Sequence, residues 1–158
     1  MKIEKLINDL KLEPHPEGGF YREVYRSCGW LISPKNNKKR NLLTDIYYLL
    51  QRGQISRFHS VVHDEVWHFY QGAPLQLLEI DNTSHQLSKI LLSSNPQNLQ
   101  YKHCIKGGNW QAAFTTGEYS LVGCTVAPAF DFADFQFLKD SPDYRIIMDK
   151  YTELTDLV

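Results

Sequence analysis

From Phe20 to Val126 the apolar residues of this chain recur mostly in twos. Segments 20–27, 43–50, 54–59, 65–70, 75–80, 87–92, 101–105, 109–114 and 119–126 are each rich in β-branched, aromatic and leucine residues. Turn residues fall between many of them: Gly53, Gly72-Ala73-Pro74, Gly107-Gly108 and Gly117. Many short strands of this kind bury their apolar faces only by closing into a sandwich or barrel. The ends read differently. Ile3, Leu6, Ile7 and Leu10 recur at helical spacing, which predicts a short amphipathic helix over 2–11, stopped by Pro14 and Pro16. Ser141-Pro142 has the form of an N-cap followed by a first-turn proline. It predicts a second helix over 142–153, with Tyr144, Ile147, Met148 and Tyr151 on one face. The expectation is one domain over 1–158, an all-β body over 18–137 between two terminal helices.

The chain's 158 residues are enough for a core without staples, and 13% aromatics exclude disorder as its main state. Seventeen basic residues against eighteen acidic ones give nucleic acid or an anionic membrane nothing to hold. The one basic run, Lys38-Lys39-Arg40, reads as a solvated loop. No apolar run is long enough to span a membrane, and the first ten residues lack the apolar stretch of a signal peptide. Cys28, Cys104 and Cys124 are odd in number and widely spaced, which is neither a disulfide framework nor a zinc pattern. A reducing cytoplasm is the expected setting.

The chemistry concentrates in Ser56–Gly72. His59, His63, Asp64, Glu65 and His68 fall within ten residues. With His59 ending one strand and Glu65 beginning the next, the turn between them lets the two side chains share one face. Alternation then places Arg57 with His59, and Glu65 with Trp67 and Phe69, while Val66, His68 and Tyr70 face the other way.

This stretch resembles the first motif of the cupin superfamily, in which a glycine is followed by His-x-His, a glutamate and a closing glycine. His59, Glu65 and Gly72 take three of those places, and Val61 stands at the second histidine. Lys106-Gly107-Gly108-Asn109-Trp110-Gln111 resembles the second motif, with Gln111 where the superfamily has its third histidine. Pro14–Glu23, Thr44–Leu50, Asp64–Phe69, Asn109–Ala113 and Val122–Phe132 together resemble the DUF985 branch, sometimes described as predicted sugar epimerases. The likeness covers residues 5–137. It implies a double-stranded β-helix, or jelly roll, a ligand pocket inside the barrel and a homodimer.

Three readings of the pocket follow. As a metal-dependent enzyme, the chain would draw on His59, Glu65, His63 and Gln111. Val61 and Gln111 are poor replacements for histidine at a divalent transition metal, so no cofactor is expected. As an isomerase or epimerase, it would use His59 as general base beside a sugar or nucleotide-sugar carbonyl, as a first-motif histidine does in the related deoxysugar-nucleotide epimerases. Tyr48 and Tyr119 are the candidate acids. Glu65, Trp67, Gln111, Arg57 and Glu23 are the candidate ligand-binding residues. As a plain binding protein, it would keep the same pocket without turnover. His15 between two prolines and Glu17-Gly18-Gly19 read as turn formers, the latter with a binding loop as the alternative. His68 reads as outward-facing. Trp110 reads as a core aromatic, and Cys104 and Cys124 as buried thiols.

Overall fold

Alternation becomes pairing in the computed structural model, which describes residues 2–158. In chain order the elements are α1 (Lys2–Leu10), β1 (Glu13–Pro14), β2 (Phe20–Arg26), β3 (Trp30–Ile32), β4 (Lys39–Asn41) and β5 (Thr44–Gln51). There follow β6 (Ile55–Val61), β7 (Asp64–Gly72), β8 (Leu75–Ile80), β9 (Leu87–Leu92) and β10 (Lys102–Ile105). The chain ends with β11 (Trp110–Thr115), β12 (Tyr119–Ala127), β13 (Phe135–Phe137) and α2 (Tyr144–Lys150). Each of the nine segments expected as strands forms one, with small shifts at the ends.

A six-stranded sheet runs β1-β2-β5-β12-β7-β10, and a five-stranded sheet runs β13-β6-β11-β8-β9. Every pairing in both is antiparallel. Successive strands switch sheets, as β5 to β6 to β7 does, which is the winding of a double-stranded β-helix. The interior between the sheets is apolar at one end, where Leu50, Phe69, Leu75, Leu77, Leu92 and Val122 are buried together. Each such side chain stabilises the fold by roughly 1.5–3 kcal/mol relative to exposure. The helices seal the outer faces. α1 lies with Leu12, Leu49, Tyr119 and Leu121 against the six-stranded sheet. α2 joins Phe58, Leu78, Ile80, Trp110 and Leu138 against the five-stranded one.

Some expectations need correction. α2 starts at Tyr144, and Ser141 caps no helix. Its hydroxyl accepts from the Asp143 amide in a local turn instead. Four strands of two or three residues, β1, β3, β4 and β13, are too short to show a period. Within the Lys38–Arg40 run Lys38 and Lys39 are exposed as a solvated stretch would be, but Arg40 lies on β4 and is only 10% exposed. Its guanidinium donates to both carboxylate oxygens of buried Asp134 at 2.7 Å, which holds that carboxyl below its usual range.

Candidate functional site

A cavity of about 530 Å³ occupies the other end of the barrel interior. His59 and Val61 of β6 line one side of it. Ile46 and Tyr48 of β5, Glu65 and Trp67 of β7, and Cys124 and Val126 of β12 line the opposite side. The loop between β1 and β2 contributes His15 and Glu17, and Tyr21, Phe130 and Phe132 line the cavity as well.

His59 owes its inward aim to a bulge. Gln111 pairs with His59 and Ala113 with Ser56, so two steps along β11 are opposite three along β6. The extra residue shifts the alternation and lets Ser56 and His59 share a face. Phe58 goes outward to the α2 cluster. His59 is 2% exposed and stacks on Phe135 with ring centroids 5.1 Å apart. Its Nδ1 is 2.7 Å from the Arg57 carbonyl oxygen. A carbonyl only accepts, so Nδ1 carries the hydrogen and Nε2 is left with a lone pair. Burial lowers the imidazole pKa, against the opposing pull of Glu65 and the Arg57 bond. His59 is therefore neutral near pH 7. No protein group among the described residues bonds Nε2, and no described buried polar atom lacks a partner, so Nε2 opens onto the cavity.

Glu17 stands beside it. Gly18 and Gly19 adopt φ of +110° and +77°, and a Cβ on Gly18 would lie 2.5 Å from the Ile55 carbonyl oxygen. Only glycine allows the loop to press this closely on β6. That approach brings Glu17 Oε2 to within 2.8 Å of the Ser56 hydroxyl, which donates to it, and 3.3 Å of His59 Nδ1. Burial raises the Glu17 pKa to about 7, with His15 and the Ser56 bond pulling the other way. His15 Nδ1 accepts from the Glu17 amide, and burial lowers the His15 pKa.

The opposite wall is tied together by one amide. Gln111 accepts from Trp67 Nε1 at 2.8 Å and donates to Glu65 Oε2 at 2.5 Å. Burial raises the Glu65 pKa, partly offset by His59 and by the Gln111 bond. Tyr48 faces the cavity and donates its hydroxyl to the Gly18 carbonyl at 2.7 Å, and burial pushes its pKa well up. Glu23 lies at the rim, held bidentately by Arg26.

Several expected residues sit elsewhere. Tyr119 is packed under α1 with Leu12 and Leu49, on the outside of the barrel, because β12 alternation turns it away from Val122 and Cys124. Arg57 falls on the outer side of the β6 bulge, is exposed and donates to the Val158 carbonyl. Gln111 is fully buried behind Trp67 and Glu65 and does not line the cavity. His63 bonds the Ser33 hydroxyl at 2.7 Å and lies 3.8 Å from Asp134, away from His59. Cys104 is exposed, whereas Cys124 is buried, and neither forms a disulfide. His68 faces outward as expected, bonded to Thr125. The residues that sequence reasoning passed over are His15, Glu17 and Tyr21, and the paired glycines were the signal.

The donor set does not suit a metal ion. Val61 offers no lone pair, both ends of the Gln111 amide are taken, and His63 is remote. Among the described residues no three His, Cys, Asp or Glu side chains converge as ligands would. No helix of the described residues is long and apolar enough to cross a membrane.

Residues 4–138 match the family model described as cupin superfamily (DUF985). The chain belongs to that family. The uncharacterized protein YML079W of Saccharomyces cerevisiae is 28% identical over 98% of this chain and 85% of its own length. Protein SO0799 of Shewanella oneidensis, a solved structure, is 29% identical over 98% of this chain and 94% of its own, with a TM-score of 0.84. A hypothetical protein from Leishmania major is 28% identical over 95% and 92%, with a TM-score of 0.83. The two structural likenesses cover at least 92% of both partners.

Proposed function

We propose that this cupin is an isomerase or epimerase that moves a proton at a carbon next to a carbonyl in a small, sugar-like ligand. The observation that carries this reading is the state of His59: neutral, fixed as the Nδ1–H tautomer by the Arg57 carbonyl, with the Nε2 lone pair open to the cavity. That is a general base ready at neutral pH. Trp67 and Tyr48, whose rings meet edge to face at 6.0 Å, offer a wall on which a sugar ring packs. A cavity of about 530 Å³ is of the size that small-molecule sites occupy. The homodimer and the reducing cytoplasm expected from the sequence stand with this proposal, the second supported by three thiols that remain unpaired.

Proton transfer is read as deuterium entering a hydroxycarbonyl compound in heavy water. Dihydroxyacetone, glyceraldehyde and a set of nucleotide sugars are the probes. The wild-type protein incorporates deuterium beside the carbonyl of at least one of them, and His59→Gln, folded by circular dichroism, does not. Equal incorporation by both proteins sinks the proposal. Binding without exchange, seen as thermal stabilisation that rises with probe concentration, assigns the chain to the non-catalytic alternative.

A further inference from the structure

In water a histidine beside a glutamate forms an ion pair over the range between their ordinary pKa values, with the proton on the imidazole. The His59–Glu17 pair is buried from both sides, and burial disfavours both charges. Below about pH 7 the proton therefore stays on the carboxyl, and both groups are neutral. Geometry then says which atom carries it. Glu17 Oε2 accepts from the Ser56 hydroxyl, while the single hydrogen of His59 Nδ1, 3.3 Å away, goes to the Arg57 carbonyl. The oxygen that accepts the hydrogen bond acts as the carbonyl oxygen, so the acid hydrogen belongs on Oε1. That oxygen has no protein partner among the described residues, and Glu17 lines the cavity.

Tyr48, the other donor within the cavity, commits its hydroxyl to the Gly18 carbonyl, and Tyr119 lies outside the barrel. Glu17 is also placed differently from either. It approaches from the β6 side, the wall that carries His59, whereas Tyr48, Glu65 and Trp67 occupy the facing wall. A donor facing the base across the cavity would serve inversion of a carbon. A donor beside the base serves a shift between neighbouring atoms on one face of the substrate.

We propose that Glu17 is the second catalytic residue of the cavity and that, with His59, it interconverts α-hydroxyketones and α-hydroxyaldehydes through an enediol. This rests on the proton-transfer reading of His59 and narrows it. In the first half, His59 Nε2 takes a proton from the carbon bearing the hydroxyl, the electron pair of that C–H bond forms a C=C bond, and Glu17 Oε1 gives its proton to the carbonyl oxygen. In the second half, the Glu17 carboxylate takes the proton of the other hydroxyl, a new C=O bond forms there, and imidazolium His59 returns a proton to the former carbonyl carbon. No oxidant, reductant or metal is needed, and both residues end as they began.

The groups that face Glu17 are His15 from its own loop, Ser56 and His59 from β6, Tyr48 from β5, Glu65 from β7 and Cys124 from β12. Glu17, raised to about 7 by burial and placed to give its proton to the substrate, governs the alkaline side of the rate profile. The forward step needs Glu17 protonated, and the rate falls as pH rises through about 7.

The test uses dihydroxyacetone in heavy water with wild type, Glu17→Gln and Ser56→Ala. Wild type is expected to form glyceraldehyde deuterated at the carbon next to the aldehyde, with a rate that declines above about pH 7. Glu17→Gln is expected to lose roughly 100-fold or more and, in what remains, the alkaline decline. Ser56→Ala keeps the acid but releases it, and is expected to shift that decline without abolishing turnover. Infrared spectra of the protein alone supply a second reading. A buried protonated-carboxyl band that disappears as pH rises through about 7 is expected in wild type, and that component is expected to be missing from Glu17→Gln. Turnover by Glu17→Gln at the wild-type rate with the decline intact overturns the role of Glu17 and leaves the His59 reading standing. The infrared band with no exchange by wild type overturns the His59 reading, and the catalytic use of Glu17 with it.

Discussion

Along β5 the inward residues run Leu50, Tyr48, Ile46 and Thr44, and along β7 they run Phe69, Trp67 and Glu65. The same strands thus build a solid apolar plug at one end of the barrel and a cavity with buried ionisable groups at the other. At the apolar end, close packing holds each residue in place, and Leu75, Leu77 and Leu92 are wholly buried. At the cavity end, hydrogen bonds do this work: Gln111 between Trp67 and Glu65, Ser56 against Glu17, the Arg57 carbonyl against His59, and the Gly18 carbonyl against Tyr48. The plug stabilises the fold. The polar end costs stability, since burial there disfavours the charged forms of its ionisable groups.

Leu77→Ala breaks the comparison at its strong end. A wholly buried leucine in the plug is expected to cost about 2–5 kcal/mol in chemical denaturation, with ligand affinity unchanged in the folded fraction. Glu17→Gln acts at the other end with the opposite sign. The carboxyl pKa is raised from 4.5 to about 7, so the stability Glu17 contributes is fully present below pH 4.5 and is lost as pH rises through about 7. The variant has no such loss. Its stability relative to wild type is expected to climb by about 3 kcal/mol across that window, measured by denaturation at a series of pH values. A flat difference would show that Glu17 is not buried as described. The histidines run the other way. His15 and His59 have lowered pKa values, so the stability they contribute falls as pH drops below 6.5.

Gln111→Leu probes the hydrogen-bonded scaffold. It strands the Trp67 indole N–H and the Glu65 carboxyl, at an expected cost of about 1–3 kcal/mol for each buried group left without its partner. Ligand binding should weaken as well, because both residues line the cavity. Arg57→Ala sits outside the contrast. Stability is expected to change by no more than about 0.5 kcal/mol, and cavity chemistry not at all, since Arg57 is an exposed residue facing away from it.

The barrel was legible because its strands are long enough to alternate, and because turn glycines and prolines separate many of them. His59, Glu65 and Trp67 were legible as cavity residues for the same reason, whereas the choice between Tyr48 and Tyr119 was left open. Alternation failed where one residue was added. The β6 bulge reversed Arg57 relative to His59, and no residue type in Ser56–Ser60 announces it. Tyr119 was ambiguous because strand reading gives two faces without saying which is inward. Gln111 was expected to bind ligand but lies behind the cavity wall, and its role as a brace depends on Trp67 and Glu65 of β7, a strand of the other sheet. Glu17 sits in a loop without a period. Only the pair Gly18-Gly19 marked it, and what those glycines permit, an approach to the Ile55 carbonyl 36 or more residues away, is a tertiary fact.

The central claim is that the cavity end holds a neutral His59 with its proton on Nδ1 and its lone pair on Nε2. Nitrogen-15 NMR of the histidine side chains measures this directly, with His59→Gln assigning the signal. The account requires one protonated and one unprotonated ring nitrogen at neutral pH, the protonated one being Nδ1, with conversion to imidazolium only below the ordinary histidine value of 6.5. An imidazolium at neutral pH, or the proton on Nε2, would contradict it.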